Sequence, residues 1–135
     1  MRAWRALKAA GAAALRDGVY LLPDQPACRE SMSRVERDIL GGEGYACVLP
    51  VCDPQGERFV SLFSRASEYA SLRAEADAQL IQVTPETALS LTRQARKLRK
   101  AYAQLTEIDF FPDAAQQQAD AKLRELELAI LPPSP

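Results

Sequence analysis

The residues best suited to chemistry lie in one run, Arg93-Gln-Ala-Arg96-Lys97-Leu-Arg99-Lys100, where five of eight side chains are basic. On a helix, Arg93, Arg96, Lys97 and Lys100 share an arc of roughly 100°, opposite a stripe of leucines. Arg93/Lys97 and Arg96/Lys100 then become like-charge i,i+4 pairs, each costing about 0.2–0.5 kcal/mol. No acid stands four positions away to relieve them. A face of this kind suits phosphate backbones or oxyanions. The bland alternative is that Glu68, Glu75 or Asp77 of the preceding helix, or Asp120 or Glu125 of the last one, neutralises it. A second group of cations, Arg2, Arg5, Lys8 and Arg16, precedes the first acid, Asp17. These side chains sit beside an apolar stripe that contains Trp4.

Other candidates are weaker. Gly41-Gly42-Glu43-Gly44 follows a helix and precedes a strand signal, whereas a phosphate loop needs the reverse order and a GK[ST] ending. It reads as a cap and turn. Asp109 and Asp113 flank Phe-Phe-Pro and read as helix-end residues. Ser64, Ser67 and Ser71 have no base to activate them. The chain contains no histidine, so Ser-His-Asp and Cys-His mechanisms and His-based metal sites are excluded. Cys28, Cys47 and Cys52 are odd in number, form no CxxC, and lie in apolar stretches. They read as reduced core thiols of a reducing compartment. The expectation is a non-enzymatic, cytoplasmic protein without metal or cofactor. No apolar run reaches the ~18 residues a membrane span needs.

The elements that must carry these residues can be read from periodicity. The chain has 135 residues and a net charge of −1, so any electrostatic function rests on local segregation of charge. A length of this order suits a single domain, 1–135, with a helix-strand-helix-strand half over 1–55 and a helical half over 56–131. Trp4, Leu7, Gly11, Ala14 and Leu15 predict a helix from Arg2 to Arg16, broken by Asp17-Gly18. Val19–Leu22 predicts a buried strand. Asp24 and Pro26 predict the start of a helix ending at Gly41-Gly42, with Cys28, Met32, Val35 and Ile39 inward. Tyr45–Val51 predicts a second strand, at an edge because of Pro50, followed by an Asp53–Gly56 turn. Three helices follow: 57–80, burying Phe59, Leu62, Phe63, Ala66, Tyr69 and Ala70; 84–107, with Leu91, Ala95, Leu98, Tyr102 and Leu105 inward; and a last one burying Ala115, Ala119, Leu123, Leu126 and Ile130. Phe110 and Phe111 would plug the corner between the last two helices, and Pro132–Pro135 would fray. The fold class is α+β and helix-dominated, a short two-strand α/β unit packed with a C-terminal three-helix unit.

Four segments together resemble the N-terminal domain of the chromate-resistance regulator family, ChrB. They are WRALKAAGAAALRDGVYLLP from Trp4 to Pro23, the Gly41–Val51 turn and strand signal, Leu62–Tyr69, and Ile108-Asp109-Phe110-Phe111-Pro112. The resemblance spans nearly the whole chain. It implies a bacterial cytosolic regulator associated with promoter DNA and chromate response. The N-terminal half is also similar to PaaX-type regulators, which implies a partial ferredoxin-like unit. Family members carry an apolar strand ahead of the first helix, and this chain starts at that helix. A fold without that strand would be expected to leave pairing groups open to a partner or to strand exchange. Longer members also carry a C-terminal domain linked to chromate sensing, to which the resemblance does not extend. No catalytic residue carries over, because related nuclease chemistry uses an aspartate after that first strand.

The favoured expectation is therefore a DNA-binding regulatory domain. Arg93, Arg96, Lys97 and Lys100, with Arg2, Arg5, Lys8 and Arg16, would contact the phosphate backbone of promoter DNA. Specificity would be weak or shape-based, since no helix-turn-helix spacing is evident. The alternatives are a protein-interaction module, with a homodimer as one form, and direct binding of the chromate oxyanion by arginines and a helix N-terminus.

Overall fold

Gly11 decides where the first helix ends. In the computed structural model, which describes residues 2–54 and 58–131, α1 spans only Arg2–Ala9. Gly11 follows with φ +91°. Its N–H bonds to the Lys8 carbonyl at 3.0 Å and the Ala12 N–H bonds to the Leu7 carbonyl at 3.0 Å. This pair of bonds is the Schellman termination, which favours glycine at the left-handed position. The predicted helix to Arg16 is thus cut short. Strand β1 (Ala13–Arg16) turns at Asp17-Gly18 and pairs antiparallel with β2 (Val19–Leu21). Gly18, at φ +76°, supplies the positive dihedral of the turn. Asp17-Gly18 closes a hairpin rather than breaking a helix, and Arg16 belongs to a strand.

Helix α2 (Pro26–Gly41) carries Pro at its first turn and ends at Gly42, as the sequence indicates. Its N-cap is Gln25, while Asp24 instead forms an ion pair with Arg29. Tyr45–Val51 is not a strand. Among the described residues the sheet consists of β1 and β2, and this segment pairs with neither. The Val48 N–H is taken by the Glu36 carboxylate at 2.8 Å. Tyr45, Leu49 and Val51 are exposed as a result, and so are Cys47 and Cys52. Only Cys28 is the core thiol expected of all three. Burial pushes its pKa up.

A 3-10 turn over Val60–Phe63 and an extended Ser64 replace the start of the helix predicted from Glu57. Gln55, Gly56 and Glu57 lie outside the described residues, as do Met1 and the terminal Pro132–Pro135. Helix α3 runs Ala66–Ile81. The later start rotates its inward face onto Tyr69, Leu72, Ala76 and Leu80, leaving Ala66 and Ala70 exposed. Helix α4 spans Ala88–Glu107. Thr84 and Thr87 delay its start, because each hydroxyl accepts the other's backbone N–H, at 3.2 and 2.8 Å. Helix α5 spans Ala114–Ile130, capped by the Asp113 carboxylate on the Ala115 N–H.

The chain divides into two compact units, Met1–Ser64 and Arg65–Pro135. In the first, α1 packs on α2, and Leu7, Ala13, Cys28, Val35 and Phe63 are buried. In the second, α5 packs against both α3 and α4. Ala76, Ala95, Leu98, Leu123 and Leu126 form one cluster and Tyr69, Leu105 and Ala119 another. Phe110 is half-buried, but Phe111 is exposed and does not plug the corner. No helix among the described residues is long and apolar enough to cross a membrane.

Candidate functional site

The core face of α4 determines what its other face presents. Leu91, Ala95, Leu98 and Leu105 are turned inward. The remaining arc therefore holds Arg93, Arg96, Lys97 and Lys100, all exposed. Among the described residues, none of these four cations lies within ion-pair distance of a carboxylate.

The acids that could have neutralised the stripe are engaged elsewhere. Asp77 and Glu125 each hold the Lys122 ammonium at 3.0 Å. Asp120 accepts from Arg99 at 2.7 Å and from Arg124 at 3.1 Å. Glu68 pairs with Arg65 at 3.3 Å. Glu75 is exposed and reaches none of the stripe.

Arg99 shows the contrast within one run of sequence. It lies on the border between the core and the stripe, where α5 can reach it. Its guanidinium donates two bonds to Glu127, at 3.0 and 2.7 Å, and one to Asp120 at 2.7 Å. It also lies 5.2 Å from the Tyr102 ring centre. The bonds to Glu127 lead in raising its pKa further, with Asp120 assisting against the opposing effect of burial. One cation of the run thus fastens α4 to α5, and the other four make no ion pair among the described residues.

The second group of cations is also open. Arg2, Arg5 and Lys8 on α1 and Arg16 on β1 are exposed and have no carboxylate partner among the described residues. Trp4 is not part of an inward stripe. It stacks on Tyr20 of β2, with ring centres 5.1 Å apart and planes inclined by 29°. It remains 36% exposed. Arg16 does not belong with the helical cations: the hairpin places it at the paired position of Val19.

Two further features are structural in character. Tyr69 is 1% exposed and donates its hydroxyl to Asp109 at 2.8 Å, while Gln116 donates to the Tyr69 oxygen at 3.1 Å. This ties α3 to the corner between α4 and α5, so Asp109 serves there and not as a helix cap. A shallow concavity of about 550 Å³ is lined in part by Tyr102, Gln116, Asp120, Arg124 and Leu128. It mixes both signs of charge and includes none of the four stripe cations. Among the described residues no three of Cys, Asp and Glu gather as a metal-binding cluster.

A sequence model of the family described as "Protein ChrB, N-terminal" matches residues 1–131. Protein ChrB of Cupriavidus metallidurans is 34% identical over 133 residues, covering 96% of this chain and 41% of its own length. The chain therefore spans about two fifths of that relative. No solved structure matches it.

Proposed function

The chain belongs to the family of ChrB N-terminal domains, and on that premise we propose that it is the nucleic-acid-binding part of a chromate-resistance regulator, gripping the phosphate backbone of promoter DNA with the basic face of α4. The observation that carries this reading is the unneutralised stripe. Four cations stand exposed on one arc while the carboxylates around them serve Arg99, Lys122, Arg124 and Arg65.

The electrostatics favour a polyanion. Like-charge i,i+4 pairs cost stability in the free protein, and phosphates would turn that cost into attraction. From Arg93 to Lys100 the face is about 10 Å long. Duplex DNA carries one negative charge per ~1.7 Å of axis, so the face meets several phosphates at once. Contacts of this kind position a protein without reading bases. Specificity then comes from groove shape or from parts of a longer regulator.

Anisotropy of a labelled promoter duplex, titrated across salt, tests the proposal. Affinity is expected to fall steeply with salt, and R93A/R96A/K97A/K100A is expected to lose binding while keeping its helical circular dichroism, because all four side chains are exposed. A salt-independent curve, or a variant that binds as wild type, overturns it.

One observation favours a second reading, a protein-interaction module. Tyr45 is 85% exposed, Leu49 72% and Val51 74% in a segment with strand composition but no strand partner. Sedimentation with and without duplex separates the two. Dimers that resist salt and ignore DNA would favour this reading over the first.

A further inference from the structure

We propose that the surface formed by α1 and the β1–β2 hairpin is a stacking platform for unpaired bases, so that the Met1–Ser64 unit takes single-stranded nucleic acid at Trp4. The proposal shares with the reading above only the class of ligand, nucleic acid. It rests on different residues.

The first observation is the aromatic pair. Tyr20 supports Trp4 from one side, and Trp4 as a residue remains 36% exposed. A ring held by stacking loses little further freedom when another flat ring is laid on it. Every base offers a π-face, so such a surface accepts bases without regard to sequence.

The second observation is the charge carried by the same two elements. At 100° per residue, Lys8 lies about 40° from Trp4 around α1, Arg5 about 100° and Arg2 about 160°. The cations sweep away from the indole on the side opposite the buried Leu7. Arg16 stands in the hairpin at the paired position of Val19. All four are exposed and unpaired among the described residues. Aromatic rings flanked by backbone-tracking cations are the combination that binds single strands. A duplex would satisfy the cations and leave the rings idle, because its bases are already stacked.

A lipid surface fits less well. A helix that lies in a membrane interface buries an apolar face in the lipid. The apolar face of α1 is used internally, with Leu7 6% exposed, and α1 has only eight residues. An acidic peptide would use the cations but would have no need of the stacked rings.

Trp4 is the single tryptophan of the chain, so its fluorescence reports on this surface alone. Titration of the full chain with a short oligothymidylate is expected to quench Trp4 emission. Inorganic polyphosphate, a polyanion without bases, is expected to leave it nearly unchanged. R93A/R96A/K97A/K100A is expected to retain the quenching, which separates this platform from the α4 face. R2A/R5A/K8A, with the stack intact, is expected to weaken binding of labelled oligothymidylate about tenfold at moderate salt. Trp4→Ala is expected to weaken it at least as much, read by anisotropy. Absence of quenching by oligothymidylate overturns the proposal, as does equal quenching by polyphosphate or by anionic phosphatidylserine vesicles. If duplex binding proves absent while oligothymidylate still quenches Trp4, the α4 reading fails and the platform stands.

Discussion

At the scale of single residues, the difference between Arg99 and Arg96 separates a structural cation from an available one. Arg99 satisfies Glu127 and Asp120 on α5. Its truncation leaves Glu127 without that partner in a partly buried place, and Arg99→Ala is expected to cost about 1–3 kcal/mol in urea denaturation. Arg96 touches no carboxylate, so Arg96→Ala should stay within about 0.5 kcal/mol of wild type. It even relieves the like-charge contact with Lys100. Tyr69 supplies a second prediction at this scale. Burial, chiefly, raises its pKa above the ordinary 10, and the Asp109 carboxylate adds to that against the bond from Gln116. A phenol that ionises less readily in the folded state than in the unfolded one gives full stability below about pH 10. That stability is lost as the pH climbs past the unfolded value. The helical unit is therefore expected to weaken above pH 10, and Tyr69→Phe to make the decline shallower. Tyr102, also raised by burial, acts in the same direction. Spacing already sets Arg99 off the arc of the other four, but its partners on α5, up to 28 residues away, leave no mark in a local window.

At the scale of elements, legibility followed the range of the forces. Helix α5 and the body of α4 depend on apolar spacing and on the Asp113 cap, all local, and their inward faces could be read residue by residue. So could the end of α2 at Gly42. The hairpin was missed because KAAGAAALR carries helical composition and Gly11 interrupts it in the middle. The legible clue was Asp17-Gly18 with apolar residues on both sides, a hairpin signal. Tyr45–Val51 failed in the opposite direction. Its β composition is sound, but a strand exists only beside another strand, and here the Val48 N–H goes to the Glu36 carboxylate instead of to a ladder. For α3, the loss of its first turns to a 3-10 segment shifted the inward face onto Ala76. The termination of α1 can be tested directly. Gly11→Ala puts a side chain at φ +91°, where an L-residue costs about 1–2 kcal/mol. A thermal melt followed by Trp4 emission should shift to lower temperature, by several degrees for a domain of this size. A variant as stable as wild type would mean that the Schellman turn does not set the helix end.

At the scale of the whole molecule, the net charge is −1, so long-range attraction to a polyanion is not available from the protein as a whole. Binding must be local, and the counterions it releases must come from the phosphates that the stripe touches. A local contact of four cations predicts a slope of log K against log salt of about −3.6, from −0.9 for each neutralised phosphate. Removing all four side chains should bring the slope contributed by α4 close to zero. Arg99→Gln, measured well below its unfolding temperature, is the control on the same helix. Its charge is already balanced by Glu127 and Asp120, so the slope should not move although one of the five basic residues of the run is gone. A slope that changes equally for Arg99→Gln and Arg96→Gln would mean that the ion pairs of α5 open on binding. The division between structural and available cations would then have to be redrawn along the whole of α4.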